Sequence, residues 1–413
     1  MAGHAFISPV NFIEALSLAL DLTSTGLSAH HSRTAVIAYR MACELGLNQP
    51  DLRTLTYAAF LHDIGAAANW DEREDFLKFQ QTGDIYQHAE IGYDLLKKSQ
   101  YFGHIADVIR HHHDRYDGGN PSGTAGESIP LLSRILFMAG GIDTLQRQKK
   151  GKIFEMIPQV IHCVQEASGS CFDPTLVAVF LKIAKREGFW LDILTGTYNP
   201  QFIRELKFNK KIPLASEDMI HIASIFASLV DSTSRFTFHH SHNVAAVTGF
   251  LASAYGYSED KVGYYKLAGL LHDLGKLAVP NAILEKPGRL SSRECFDVKR
   301  HPYFTLRILQ RIEGFGMVAD WAGHHHEMPN GCGYPFGIGG KSLSHGARMI
   351  AVADVYSALN ENRPYRSSLD ADRIARIIKD KARAGELDAK IVADLIAQQE
   401  AVQIALQNSV MDP

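Results

Sequence analysis

The segment LRTLTYAAFLHDIG, residues 52–65, contains the pattern on which the fold of this chain depends. Its apolar side chains recur at spacings of three and four residues, which is the period of an amphipathic α-helix. The helical pattern ends at the pair His62–Asp63, and Gly65 follows two residues later. The segment LLHDLG, residues 270–275, repeats this ending, so the same structural unit is predicted twice.

Four further motifs recur in the same order: HHSRTA and HHSHNV, YQHAEIGYDLL and KRHPYFTLRIL, two HHH runs, and SRILFMAGGIDTL and ARMIAVADVYSAL. All five pairs lie 209 to 214 residues apart, which indicates a tandem duplication. Helical periodicity dominates, and alternating strand patterns are scarce. We therefore predict an all-α protein of two tandem helical bundles, residues 1–195 and 215–413, joined by a linker at 196–214.

The composition is that of an ordinary globular protein, because 46% of the 413 residues are hydrophobic and 21% are charged. A net charge of −3 gives no basic field for a nucleic-acid polymer. The five cysteines never form a CxxC pair, which argues against a disulfide framework or a thiolate zinc site. A run of about 18 apolar residues, as a membrane span needs, does not occur. We expect a cytoplasmic protein without a membrane segment.

Metal-capable side chains cluster in the second half, within or beside apolar helical stretches. Asp354 lies inside ARMIAVADVYSAL, where an uncompensated carboxylate would cost several kcal/mol, so a cation or metal should neutralise it. Five imidazoles and two carboxylates exceed one tetrahedral zinc site and suit two metals bridged by Asp273. Such centres drive in-line displacement at phosphorus. The seven candidates are His240, His272, Asp273, His301, His325, His326 and Asp354.

Three basic side chains are candidates for phosphate contact. Lys276 follows the HD pair by one turn and is placed to stabilise developing negative charge, so we assign a catalytic role to it and to Asp273. Arg363 and Arg366, in ENRPYRSS, could hold a second phosphate or stack on a base. Taken singly, each of the three basic residues could equally be an exposed surface charge.

The segments LLHDLGKLAVPNAILEKPGRLSSREC, VKRHP, HHHEMPNGCGYP and IAVADVYSALNENRPYR resemble the HD-GYP branch of the HD-domain metal-dependent phosphohydrolases over about residues 220–400. The resemblance implies an all-α fold and hydrolysis of bacterial cyclic dinucleotides, cyclic di-GMP first and 3′,3′-cyclic GMP-AMP second. It implies metal ligation by the seven candidates above, with iron or manganese preferred over nickel or zinc. It also implies substrate binding by Lys276, Gly333, Tyr334, Pro335, Arg363 and Arg366.

Two departures from the HD-GYP pattern stand out. Asn330 replaces an aspartate of the loop, which keeps the size and turn chemistry but removes a charge. Some members hold a third metal through a glutamate one turn before the first histidine, where this chain has Phe236. We therefore expect two metals rather than three.

The first half retains most of the pattern but not all of it. Gly140 aligns with Asp354, and Ala66 aligns with Lys276, so a poor phosphodiesterase is expected there. Two interpretations remain open: a regulatory or dimerising domain that senses a ligand or metal, which we favour, and a structural relic. Six residues could still hold a residual metal: His31, His62, Asp63, His88, His112 and His113.

The sequence thus predicts a metal-dependent phosphodiesterase that opens a cyclic dinucleotide to the linear form, and it leaves open whether a second cut to mononucleotides follows. The expected partners are the cyclic dinucleotide and a second copy of the chain or a signalling protein. Two alternatives remain open, a non-catalytic nucleotide receptor or adaptor and a broader HD nucleotidase.

Overall fold

The computed structural model describes residues 6–21, 29–68, 86–147, 153–194, 202, 206, 210–213, 217–233, 239–361 and 369–409. Within these ranges the secondary structure is almost entirely helical, and the predicted all-α class is confirmed. No helix described there is both long and apolar enough to cross a membrane. Much of the predicted linker, residues 196–214, lies outside the described residues.

The chain divides into two compact units. Ser8–Lys210 forms one, and Lys211–Pro413 together with Met1–Ile7 forms the other. The strand β1 (Phe6–Ile7) pairs antiparallel with β2 (Ile212–Pro213), so the start of the chain belongs to the second unit. The helical periodicity gave no indication of this pairing, because two-residue strands are too short to show an alternating pattern.

The N-terminal unit is built from nine described helices. They are α1 (Pro9–Asp21), α2 (His30–Glu44), α3 (Gln49–Leu61), α4 (Gln87–Leu96), α5 (Gly103–Arg110), α6 (Leu131–Arg147), α7 (Ile153–Glu166), α8 (Pro174–Ile183) and α9 (Glu187–Leu194). The helix α2 packs against α3 and α6, and α4 packs against α5.

The C-terminal unit repeats this order with additional short helices. They are α10 (Glu217–Ser232), α11 (His240–Ala254), α12 (Glu259–Leu271), α13 (Asn281–Leu284), α14 (Ser292–Lys299), α15 (His301–Leu309), α16 (Gly316–Gly323), α17 (His345–Asn360), α18 (Ala371–Arg383), α19 (Ala389–Ala397) and α20 (Gln399–Ser409). The helix α11 contacts α12, α17 and α20, and α15 contacts α16.

In each unit the HD pair ends one helix and leads into a 3-10 turn, at Ile64–Ala68 and Leu274–Ala278. A Cβ atom on Gly275 would lie only 2.0 Å from the carbonyl oxygen of His301. A Cβ atom on Gly65 would lie 2.1 Å from the carbonyl oxygen of His88. Glycine is therefore required at both turns, because only a residue without a side chain lets the HD turn approach the next histidine.

Candidate metal centres

The structure brings all seven candidate ligands of the C-terminal unit into one cluster. His240 begins α11, His272 and Asp273 follow α12, His301 begins α15, His325 and His326 follow α16, and Asp354 lies inside α17. Five different helices therefore supply the cluster, mainly from their ends. Three overlapping groups have donor atoms within 4.8 Å of one another: His240, His272 and Asp273; His301, His325 and His326; and His272, His325 and Asp354.

Asp273 lies at the centre of the cluster, and its two carboxylate oxygens face different histidines. Its Oδ2 lies 3.3 Å from Nε2 of His272 and 4.0 Å from Nε2 of His240. Its Oδ1 lies 3.2 Å from Nε2 of His301 and 3.9 Å from Nε2 of His325. A carboxylate arranged in this way can bridge two cations, each held by histidines on its own side.

The histidine tautomers follow from hydrogen bonds to the backbone. Nδ1 of His272, His301 and His325 lies 2.6–2.7 Å from the carbonyl oxygen three residues earlier. Nδ1 therefore carries the proton in each ring, and the lone pair on Nε2 faces the cluster. Nε2 of His301 and Nε2 of His325 are only 3.3 Å apart. Two lone pairs at this distance repel each other, so the donor set fits a metal ion between them.

The ionisation of two of these histidines suits metal binding as well. Burial, together with the neighbouring His301, lowers the pKa of His326 to about 3. Burial likewise holds the pKa of His325 well below its usual value, together with His326. Since a histidine binds a metal in its neutral form, both rings are ready to serve as ligands near neutral pH.

His240 is held from both sides by carboxylates. Its Nε2 lies 3.0 Å from Oδ1 of Asp354, and its Nδ1 lies 3.2 Å from Oε1 of Glu361. Burial alone would lower the pKa of His240, but these two carboxylates raise it to about 10. Glu361 also accepts a hydrogen bond from the side-chain amide of Asn243, which fixes its position. Sequence reasoning missed Glu361, because it lies 121 residues from His240 and no spacing along the chain shows that the two side chains meet.

Lys276 meets the cluster directly, because its ammonium group donates a hydrogen bond to Oδ2 of Asp273. Burial opposes the charge, but Asp273 raises the pKa of Lys276, so the side chain is cationic. Its side chain retains 23% of its exposure, in contrast with 4% for Asp273. A cation beside the central carboxylate and still reachable from solvent fits the phosphate contact predicted from the sequence.

The loop with Gly333, Tyr334 and Pro335 lies against the cluster. The ring of Tyr334 contacts the ring of His326, tilted by 34° with 4.8 Å between centroids, and its backbone N–H donates to the carbonyl of His326 at 3.1 Å. A Cβ atom on Gly333 would lie 2.5 Å from the backbone of Glu327, so this close approach requires glycine. The loop therefore forms one wall of the candidate site.

Glu327 holds this loop in place, although it was not among the site residues predicted from the sequence. The side chain is 1% exposed. Its carboxylate accepts hydrogen bonds from the backbone N–H groups of Phe336, at 2.6 Å, and Ile338, at 2.8 Å. The aligned residue of the first half, Asp114, serves its own loop in the same way by accepting from the hydroxyls of Ser122 and Thr124.

The replacement at Asn330 has a structural explanation. Its side-chain amide donates to the carbonyl of Ala384 at 3.1 Å, and its backbone N–H donates to the carbonyl of Gly385 at 2.9 Å. Its side-chain oxygen accepts from the backbone N–H of Cys332 at 2.9 Å. An aspartate could keep the last contact but could not donate to Ala384. Asn330 therefore ties the loop to the turn after α18.

Some predicted residues lie outside the described part of the chain. Arg363 and Arg366 fall in the range 362–368, and Phe236 falls in the range 234–238. Their predicted roles stay predictions.

The six candidate ligands of the N-terminal unit also come together, around Asp63. Its Oδ2 lies 3.2 Å from Nε2 of His62 and 3.7 Å from Nε2 of His31, while its Oδ1 lies 3.4 Å from Nε2 of His88. One group of donor atoms within 4.8 Å comprises Asp63, His88, His112 and His113. Burial lowers the pKa of His62 to about 3, which favours the neutral ring.

A seventh residue joins this N-terminal cluster. His30 shares a second group with His62 and Asp63, and its Nε2 lies 3.2 Å from Nε2 of His62. The counterpart of His30 in the repeat is His239, which is exposed and precedes α11. The helix α2 begins at His30, whereas α11 begins at His240, which aligns with His31. The helix α2 therefore starts one aligned position earlier. The alignment could not reveal this difference, because both halves read HHS.

The HD domain family matches residues 14–176 and again residues 221–391. The chain is similar to the 3'3'-cGAMP-specific phosphodiesterase 1 of Vibrio cholerae, with 29% identity over 95% of this chain and 93% of that protein. It is 28% identical to the 3'3'-cGAMP-specific phosphodiesterase 3 of the same organism, over 88% of this chain and 89% of that one.

A shorter match with higher identity is to a cyclic di-GMP phosphodiesterase of Pseudomonas aeruginosa, with 41% identity over 35% of each chain. Among solved structures, a cyclic GMP-AMP specific phosphodiesterase of V. cholerae matches with a TM-score of 0.66 and 25% identity, over 99% of both chains. The chain therefore belongs to the HD-domain family, with one HD domain in each half and the signature of the HD-GYP branch in the second.

Proposed function

We propose that the C-terminal domain is a metal-dependent phosphodiesterase that hydrolyses a bacterial cyclic dinucleotide. The observation that carries this proposal is the position of Asp273. Its two carboxylate oxygens face separate histidines, and Lys276 contacts the Oδ2 oxygen. Relatives that match over nearly the whole chain are phosphodiesterases of cyclic dinucleotides by name.

Two metal ions would be held by the seven ligands, with Asp273 between them. When bound, such ions activate water and stabilise the charge that develops on a phosphoryl group. The residues of the chain supply the rest. Lys276 neutralises charge on a phosphate oxygen, and Tyr334 provides an aromatic wall against which a ribose or base can lie. Glu361 keeps His240 oriented with its Nε2 toward the cluster.

The first substrate to test is 3′,3′-cyclic GMP-AMP. Two relatives named for this nucleotide match 95% and 88% of the chain, whereas the Pseudomonas cyclic di-GMP phosphodiesterase matches only 35% of it. This order reverses the one predicted from the motifs. Cyclic di-GMP remains the second candidate, because its relative reaches 41% identity within the matched region.

The experiment incubates the purified full-length protein with manganese or iron and each of the two cyclic dinucleotides. Chromatography then follows the linear dinucleotide and the mononucleotides. We expect the linear form to appear first. Mononucleotides and guanosine tetraphosphate serve as competing substrates, and their faster hydrolysis would favour a broader nucleotidase instead.

A variant with His272→Ala and Asp273→Ala should lose hydrolysis of every substrate, because it lacks the centre of the cluster. Binding of the cyclic dinucleotide without any hydrolysis by the metal-loaded protein would favour a receptor. Activity that persists in the double variant would reject the proposed catalytic centre.

A further inference from the structure

The N-terminal domain contains the same kind of buried imidazole cluster but lacks the means for phosphate chemistry. Ala66 stands at the position of Lys276, and Gly140 stands at the position of Asp354. The cluster nevertheless remains compact and buried. His30, His31, His62, His88 and His112 are each no more than 5% exposed. A set of polar side chains kept in a core requires compensation of its charge and lone pairs.

The tautomers show what kind of compensation is needed. Nδ1 of His62 contacts the carbonyl of Ala59 at 2.9 Å, and Nδ1 of His112 contacts that of Ile109 at 2.6 Å. Both rings therefore present an Nε2 lone pair to the cluster. Nε2 of His112 lies 3.2 Å from Nε2 of His88, which in turn lies 3.0 Å from Nε2 of His113. A shared proton would relieve one such pair, whereas a metal ion relieves several at once.

Two carboxylates outside the cluster orient its first two histidines. Asp143 contacts Nδ1 of His30 at 2.7 Å, and Asp21 contacts Nδ1 of His31 at 2.6 Å. Arg33 donates to Asp143, which is 0% exposed, and so balances its charge. A carboxylate that holds Nδ1 and turns Nε2 inward is the usual support of a metal-binding histidine.

His31 provides a second observation that points to a ligand. Its side chain is 1% exposed, and its Nε2 makes no hydrogen bond in the described part of the chain. The nearest acidic atom is Oδ2 of Asp63, at 3.7 Å. A buried ring nitrogen aimed at a carboxylate, yet too far away for a hydrogen bond, leaves room for a cation between them.

We propose that the N-terminal domain binds a transition metal of its own. In this site His30 replaces the carboxylate ligand that is lost because Gly140 stands at the position of Asp354. The complete donor set is His30, His31, His62, Asp63, His88, His112 and His113. With one carboxylate among seven donors, the set favours zinc, nickel or iron, which imidazole suits, over manganese, which prefers oxygen ligands. The metal stabilises or regulates this domain and does not hydrolyse a phosphodiester, because no lysine stands beside it.

The test measures bound metal and does not depend on hydrolysis. Full-length protein with His272→Ala and Asp273→Ala is stripped with a chelator, reloaded with zinc, passed through a desalting column and analysed by mass spectrometry. We expect this variant to retain zinc. Adding His88→Ala and His112→Ala should remove that zinc, whereas adding His162→Ala, an exposed histidine of the same unit, should not.

Three outcomes would overturn the proposal: no zinc in the first variant, unchanged zinc after His88 and His112 are replaced, or stronger retention of manganese than of zinc. Failure of the proposed phosphodiesterase activity would leave this result untouched. Circular dichroism of each variant reports whether the fold is retained.

A rescue experiment separates a ligand from a packing residue. His30→Ala should weaken zinc binding, and Asp143→Asn should weaken it by about 10–100-fold through loss of support for His30. A Cβ atom on Gly140 would meet no atom within 4 Å, so Gly140→Asp fits in α6. Combined with His30→Ala, it should restore zinc binding by returning a carboxylate to the position of Asp354. Unchanged zinc binding in His30→Ala would contradict the role of His30, and weakened binding that Gly140→Asp does not restore would contradict the exchange of ligands.

Discussion

Glu361 accepts a hydrogen bond from Nδ1 of His240 across 3.2 Å, and it follows directly after α17, the helix that contains Asp354. The same ring faces Asp354 with its Nε2. The N-terminal unit uses an equivalent device with a different residue, because Asp143 holds His30. In both halves a carboxylate outside the cluster thus determines which nitrogen of the first histidine faces inward.

Replacement of Glu361 tests this orientation. Glu361→Ala should lower the metal affinity of the C-terminal centre by about 10–100-fold, because His240 loses its support. Glu361→Gln should have a smaller effect, since an amide oxygen can still accept from Nδ1. Metal titration by calorimetry measures both variants, with the exposed Glu400→Gln as control. Equal affinity in all three variants would show that Glu361 has no such role.

Replacement of Lys276 tests the proposed phosphate contact. Lys276→Met should lower kcat by about 10²–10³, the usual loss when one charge-stabilising contact is removed. Metal content should stay unchanged, because the ammonium group is not a ligand. Steady-state kinetics and metal analysis on one sample separate the two effects, with the exposed Lys379→Met as control. A variant that keeps its kcat would exclude Lys276 from the reaction.

The carboxylates that hold the two loops, Glu327 and Asp114, predict different effects on KM in the two halves. Glu327→Ala leaves two backbone N–H groups without an acceptor, each costing about 1–3 kcal/mol. Tyr334 then loses its fixed position on His326, so KM for the dinucleotide should rise.

Asp114→Ala is the matched variant of the N-terminal loop and should destabilise the protein while leaving KM unchanged. Denaturant unfolding and steady-state kinetics measure these quantities. A rise of KM in both variants would argue against a specific role for Glu327.

Replacement of Gly275 tests whether the close approach of the HD turn is needed to assemble the C-terminal cluster. Gly275→Ala places a Cβ atom 2.0 Å from the carbonyl oxygen of His301, so the HD turn must move away from α15. We expect loss of bound metal and of hydrolysis. Gly140→Ala, in the interior of α6, meets no atom and should instead raise stability by up to about 1 kcal/mol. Metal analysis and thermal unfolding test the pair, and normal metal content in Gly275→Ala would refute the steric argument.

Much of the fold and of the two clusters could be predicted from the sequence, because both depend on residue patterns that are periodic or repeated along the chain. The helical period and the repeat predicted two all-α bundles, the resemblance implied HD domains, and the two matches to the HD domain family confirm both. The candidate ligands of each half, selected from motifs far apart in the chain, come together in one cluster. The strand pairing of Phe6–Ile7, by contrast, left no trace, because a two-residue strand has no pattern.

The sequence by itself determined the helical class, the duplication and the side chains that form the two clusters, since apolar spacing and paired acidic and imidazole residues are local features. Only the tertiary structure decided how those side chains are held. His30 enters the N-terminal cluster because Asp143, from another helix, reaches its Nδ1, and His240 is oriented by Glu361. These contacts join residues more than 100 positions apart, and their geometry depends on how the helices pack rather than on any spacing along the chain.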